Sequence, residues 1–351
     1  MRSCESYARS VTETGKEVNM IELTQNGLTF SFPEVHPEAK LVVEFQRTFR
    51  IPDDDKSYPL PPGFGRFPLR HVDDFAGNVP SEWLRRAGVM LPMYQSEALW
   101  INFHGRYPFA VKVAAGKINA VTGEAWDDDI TRRPQDYLVT PDQPWLDGYC
   151  VEKGSIRQFV AMPLGSGYSA EEQITGKAEH GGLQILAYPM KAEAYDRGRG
   201  LAFEESGSSP KATMSFLCSI PDMALAPGGK MRQEIYDDPN DFADWDQAHR
   251  SRCFVHIANS LIWQSITGEQ PPTVPPTAKM YNNAGLPWFE YYAEGKKAVG
   301  GGAWLQIIKS VASLGKEKGE VPLPENASVA PDKIIQLRSK LKKNQVREGT
   351  F

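Results

Sequence analysis

The chain has 351 residues, of which 41% are hydrophobic and 24% charged, and a formal net charge of −5. That length accommodates two ordinary domains or one large elaborated one, and interspersed charge of acidic balance excludes an extended nucleic-acid-binding face. No window reaches the roughly 18 uninterrupted apolar residues of a membrane span, and the first residues lack the apolar core of a secretory signal.

Thirty glycines and 27 prolines spread along the chain favour many short elements over long helices. Residues 1–18 are polar and are expected to be a disordered tail. Ile21–Phe32 (IELTQNGLTFSF) reads as two alternating runs around Asn26-Gly27, a hairpin signal. Leu41–Ile51 alternates as a third strand. Tyr58–Pro68 (YPLPPGFGRFP) holds four prolines and is expected to be an ordered aromatic loop. Pro80–Ala87 suits a short helix ended by Gly88. Met90–Phe103 is apolar and of undecided type, and Phe109–Val121 and Tyr149–Met162 read as hairpins turning at Ala115-Gly116 and Lys153-Gly154. Residues 192–211 form a linker or long loop. Beyond them the pattern gives a strand at Ala212–Ile220, a turn at Pro227-Gly228-Gly229, a short helix in Asn240–His249, and a strand running into a helix over Cys253–Ile266. Two further helices are expected: Ala303–Leu314, with Trp304, Ile307, Ile308, Val311 and Leu314 on one face, and the basic Pro331–Lys343.

The resulting expectation is an α+β, β-dominated fold. Antiparallel hairpins form one or two sheets, sandwich- or barrel-like, with a few peripheral helices. Its organisation is a β-rich part (19–191), the linker, a second α+β part packed on it (212–320) and a basic C-terminal helix and tail (321–351). Cys4, Cys150, Cys218 and Cys253 follow neither a metal-ligand spacing nor a disulfide framework. A reducing, cytoplasmic setting is therefore expected.

The richest stretch for function is Arg157–Tyr188. An apolar strand enters a glycine loop (Gly165, Ser166, Gly167, Tyr168), followed by a capping box with Ser169 as N-cap and Glu172 three residues on. A second glycine turn, Gly181-Gly182, carries Glu179-His180 into the next apolar strand. The loop offers backbone N–H groups to an anion or other ligand, although no P-loop lysine follows it. His104, followed by Gly105 and Arg106, and His180 with Glu179 are the acid–base or divalent-metal candidates. His256 sits in an apolar run and reads as a core histidine. The acidic run containing Asp238 and Asp241, like Asp127–Asp129, suits calcium or plain solvation, without the EF-hand pattern. No nucleophile elbow or catalytic-cysteine context is present. The aromatic loops 58–67 and 286–292 suit either a protein partner or the stapling of loops onto the core.

PWLDGY (144–149), RQFVAMPLGSGY (157–168), TGKAEHGGLQI (175–185) and GLPWFEYY (285–292) resemble segments of a family of uncharacterised microbial proteins, over about residues 40–315. The resemblance implies no activity, cofactor or catalytic residue. The leading expectation is a soluble, non-catalytic binding or structural protein with its site around residues 165–182. The alternatives are a metal-assisted hydrolase or oxidoreductase using His180, Glu179 and His104, and a calcium-dependent structural module.

Overall fold

The computed structural model describes residues 21–54, 56–198, 222–272, 274–284, 286–292, 296–321, 327–331 and 333–338. The expected N-terminal tail, most of the linker, the Ala212–Ile220 strand, Cys4 and Cys218 lie outside them. The fold is α+β and β-dominated. Most strands join one sixteen-stranded, largely antiparallel sheet that does not close into a barrel. Its path runs Ile21–Thr24, Gly27–Ser31, Lys40–Thr48, Ala98–His104, Ser155–Pro163, Asp222–Arg232, Ser251–Asn259, Leu183–Pro189, Phe109–Ala115 and Leu138–Thr140. Strands from both sides of the 192–211 segment are interleaved: Asp222–Arg232 pairs with Ser155–Pro163, and Ser251–Asn259 with Leu183–Pro189.

Local sequence explains the hairpins. The first turns one residue earlier than Asn26-Gly27 suggests, because Gln25 and Asn26 take φ of 51° and 62° and Thr24 pairs with Gly27. Two positive φ values are what a right-twisted two-residue hairpin needs. Lys40–Thr48 buries Leu41, Val43, Phe45 and Arg47. Met90–Phe103 divides into the strands Val89–Met93 and Ala98–His104. The main core includes Phe30, Phe45, Ile101, Val113, Tyr149, Phe159, Ile185 and Val255.

Several expectations fail for identifiable reasons. Pro227-Gly228-Gly229 is not a turn but lies inside the strand Asp222–Arg232, where the register slips opposite Arg157–Phe159. Proline is tolerated at such a bulge because no ladder donor is needed there. The expected helix in Asn240–His249 is a single 3-10 turn, Phe242–Asp244. Asp246 Oδ1 instead accepts from the Ala248 and His249 N–H groups at 3.0 and 3.1 Å, a local bond that competes with helix. Ala303–Leu314 breaks into Ala303–Ile307 and Val311–Glu317. Ser310 caps the second helix through Ser313 N–H, and Gln173 holds Lys309 from both sides of its peptide. Consequently Leu305, Ile308 and Val311 are buried, while Trp304 and Ile307 are exposed. The described part of Pro331–Lys343 is strand, not helix: Ile334–Arg338 pairs in parallel with Trp288–Tyr292.

The aromatic loops are stapled down. Tyr58, Leu60, Tyr281 and Trp288 share a second core cluster with Phe49 and Ile51, and Leu60 and Phe289 exchange backbone hydrogen bonds of 2.8 Å. Tyr58 and Trp288 thus face inward, while Phe64, Phe289 and Tyr291 are only partly buried. No helix among the described residues is long and apolar enough to cross a membrane.

His256 is the core histidine expected. It is 2% exposed, stacks on Trp83 with centroids 4.8 Å apart, and donates from Nε2 to the Ala87 carbonyl at 3.0 Å. Burial, with the Arg86 charge adding to it, pulls its pKa down to about 4 from 6.5. The folded state therefore binds fewer protons than the unfolded chain between those values. The stabilisation from a neutral His256 is complete above pH 6.5 and is lost as pH falls towards 4. Urea unfolding at pH 7.5 and 4.5 should show the wild type losing about 2–3 kcal/mol more than His256→Gln over that interval.

Candidate functional site

The strand Ser155–Pro163 delivers the chain to the glycine loop. The capping box is complete: Glu172 N–H donates to Ser169 Oγ at 3.1 Å, and Ser169 N–H donates to Glu172 Oε2 at 3.1 Å. Glu172 Oε1 also accepts from Gly167 N–H at 2.7 Å. Lys318 Nζ lies 3.8 Å from the centre of the Tyr168 ring and bonds the Ser166 carbonyl. Within the predicted loop Gly165, Ser166, Gly167 and Tyr168, then, the Gly167 N–H is taken by the chain's own Glu172 and the Ser166 N–H by the Pro163 carbonyl. The loop acts as a fixed turn that launches the helix Ala170–Thr175.

That helix turns Glu171 inward. Glu171 is 4% exposed, and its Oε1 lies 2.8 Å from His180 Nδ1. Its Oε2 is buried with no hydrogen-bond partner. The oxygen rests over Gly116, where φ is 58° and an added Cβ would lie 2.3 Å from Oε2 and 2.7 Å from the His180 carbonyl oxygen. Glycine at this hairpin tip is thus required twice over, by backbone conformation and by the carboxylate above it. The tip is tied to the second glycine turn through Gly116 N–H to the Gly182 carbonyl, 3.0 Å.

Glu171, Glu179 and His180 each present one ligand atom, and these lie within 4.8 Å of one another. Glu179 is half exposed and pairs with Lys177 at 3.2 Å. Burial, reinforced by the Glu179 charge, raises the Glu171 pKa to about 7. Burial, with the Arg86 and Lys117 charges behind it, lowers that of His180 to about 4. At neutral pH the pair is a neutral imidazole beside a carboxyl poised between its two forms. Beneath the turn lies Asp222, whose carboxyl would be 2.6 Å from a Cβ on Gly181. Its Oδ2 accepts from Trp83 Nε1 at 3.1 Å, while its Oδ1 is buried without a partner. Burial raises the Asp222 pKa to about 6.

The other sequence candidates do not converge here. His104 ends a strand paired with Val42 and is exposed; its Nε2 meets Asn102 and Glu44 at 2.7 and 3.2 Å. The Glu171–Glu179–His180 group does not include it, and Arg106 is exposed beside it at the Gly105 turn. His104 is therefore corrected from a partner of His180 to a surface strand-end residue. Asp238 is corrected from metal ligand to buried acceptor: Tyr137 Oη donates to it at 2.6 Å, Trp245 Nε1 at 2.8 Å and Asn240 N–H at 2.9 Å. Asp241 sits at the N-terminal position of the 3-10 turn Phe242–Asp244, without a side-chain capping bond, and is in no metal-ligand group among the described residues. Asp128 and Asp129 are paired with Arg252 and Arg250.

Glu171 and Asp222 are not among the candidates that the sequence pattern singles out. For Glu171 a signal existed. With Glu172 committed to the cap, its neighbour on so short a helix must point in another direction.

No family model, no curated protein and no solved structure matches this chain.

Proposed function

We propose that the chain is a soluble, non-catalytic binding protein whose ligand is a divalent transition-metal cation, held by Glu171, Glu179 and His180. One observation carries the reading: a buried carboxylate oxygen, Glu171 Oε2, without a hydrogen-bond partner beside a neutral imidazole and a second carboxylate. Unpaired buried carboxylate oxygens are costly and are satisfied by protons or cations. One nitrogen and two oxygens suit zinc, which takes such donors at about 2.0–2.2 Å. Glu179, on the exposed approach to His180, is the ligand free to swing inward on leaving Lys177. Cys150 and Cys253 are free thiols, which supports a reducing, cytoplasmic setting.

Dialysed protein should take up one equivalent of zinc in calorimetry and gain several degrees in Tm, with EDTA reversing both. His180→Ala should lose the uptake. A protein that takes up no zinc, or binds it unchanged without His180, would end this reading.

A second reading, hydrolysis at the same cation, draws on Asp222 Oδ1, a further buried oxygen without a partner behind Gly181. It requires that zinc-loaded protein hydrolyse an activated ester and that Asp222→Asn remove the activity while leaving zinc uptake intact.

A further inference from the structure

A groove of about 490 Å³, within the range of small-ligand sites, lies between the Thr122–Glu124 turn, the Arg132–Gln135 segment and Gly300–Trp304. It shares no residue with the glycine-turn site. Its ring is Trp304, 52% exposed although tryptophan is the largest apolar side chain available to the core. Arg132 also lines it, with its guanidinium held by the Asn240 and Asp238 carbonyls; the remaining charges are Arg133, Glu124 and Asp237, all exposed. Their side chains make no hydrogen bond or ion pair with any described residue.

One wall is fixed backbone. A Cβ on Gly302 would lie 1.6 Å from the Thr122 carbonyl oxygen, and one on Gly301 2.2 Å from the Val151 carbonyl carbon. Only glycine lets this segment lie flush on the body, and so its position is set in advance of any ligand. The N–H groups of Gly300, Gly301 and Gly302 donate to no described residue.

The charge set selects the ligand. A simple anion attracted by Arg133 would meet two unpaired carboxylates, and a simple cation would meet the guanidinium. A ligand carrying both charges gives Arg133 an anion and the carboxylate wall a cation. We propose that this groove binds a zwitterionic amino acid or dipeptide with an aromatic side chain. The carboxylate lies on Arg133 and the glycine N–H groups, the ammonium on Asp237 or Glu124, and the ring on Trp304. Arginine and backbone N–H groups are strong carboxylate donors, and tryptophan offers both stacking and a cation-attracting face.

The test is calorimetry and saturation-transfer NMR with glycyl-L-phenylalanine, set against N-acetyl-phenylalanine and phenylalaninamide, which lack the ammonium and the carboxylate respectively. The dipeptide should saturate the protein, and each neutralised compound should bind at least about tenfold more weakly. Arg133→Ala, Trp304→Ala and the double variant Glu124→Gln/Asp237→Asn should each weaken the dipeptide by a similar factor. All four positions are exposed, so circular dichroism should show them folded. EDTA and His180→Ala should leave dipeptide binding unchanged, which separates this site from the cation site. Absence of saturable binding at millimolar dipeptide, equal binding of the neutralised compounds, or full binding by the variants would overturn the proposal.

Discussion

Glu171→Gln is expected to abolish cation uptake and, at the same time, to make the metal-free protein more stable at alkaline pH. The two effects share one cause. Glu171 is buried, with one oxygen at His180 Nδ1 and the other over Gly116 without a partner. Its pKa is raised from 4.5 to about 7. The folded protein therefore holds a proton that the unfolded chain releases, and stability falls as pH rises from about 4.5 through 7. Above pH 7 the ionised carboxylate costs about 3 kcal/mol relative to the unfolded chain. Glutamine fills the same space without that charge. Urea unfolding of metal-free protein should show the two forms alike at pH 4.5. At pH 8.5 the variant should be more stable by on the order of 2–3 kcal/mol. Zinc affinity in the variant should fall by at least about a hundredfold, more than the loss from outer-shell changes at metal sites. A variant that gains stability yet keeps its zinc affinity would show that the buried carboxylate does not hold the cation. Functional residues that lower stability in this way are the usual form of the stability–function trade-off.

Local signals carried far in this chain, and long-range ones did not. The hairpins at Gly116 and Gly154, the first hairpin to within one residue of its turn, and the cap at Ser169–Glu172 are legible because turn chemistry and alternation act over a few residues. The same locality made Glu179-His180 between two glycine turns worth singling out. What the sequence does not display is partnership across the sheet. Gly182 N–H reaches the Met223 carbonyl and Gly116 N–H the Gly182 carbonyl, and these links bring Asp222 and the hairpin tip to the site. Nothing in the spacing of 116, 171, 180 and 222 encodes that convergence. His104 shows the reverse error: a histidine followed by glycine looks like His180 in sequence, yet its strand pairs with Lys40–Thr48.

Apolar periodicity misled where side-chain bonding overrode it. Trp304, Ile307, Ile308, Val311 and Leu314 do fall at helical spacing. However, Ser310 and Gln173 impose extended backbone between two short helices. The same break turns Trp304 outward to the groove that it lines with Arg133. Ile334 and Leu337 likewise fit a helical stripe, but the available partner was the open edge of Trp288–Tyr292. Propensity is a weak prior against such tertiary pairing.

The largest expected loss of stability lies away from either site, at Glu97→Ala. Arg47, on the strand Lys40–Thr48, is brought inward by the same alternation that buries Phe45. Its Nε and Nη2 meet Glu97 Oε1 at 2.9 and 2.7 Å, with side chains 7% and 1% exposed. Glu97 Oε2 accepts from Tyr94 N–H at 3.0 Å, closing the turn between Val89–Met93 and Ala98–His104. Removing the carboxylate takes the counter-charge from a buried guanidinium, leaving it the Val274 carbonyl and the Phe67 ring, and frees the part-buried Tyr94 N–H; breaking such a buried pair costs about 3–5 kcal/mol. The measured quantity is the midpoint of guanidinium chloride unfolding. The double variant Glu97→Ala/Arg47→Met discriminates between causes. If the cost arises from the unpaired charge, the double variant should recover most of the stability lost by Glu97→Ala, because both charges are gone. If it arises from packing at the turn, the two losses should add. A loss under about 1 kcal/mol for Glu97→Ala would mean that water reaches Arg47 and that the pair is a surface contact in effect.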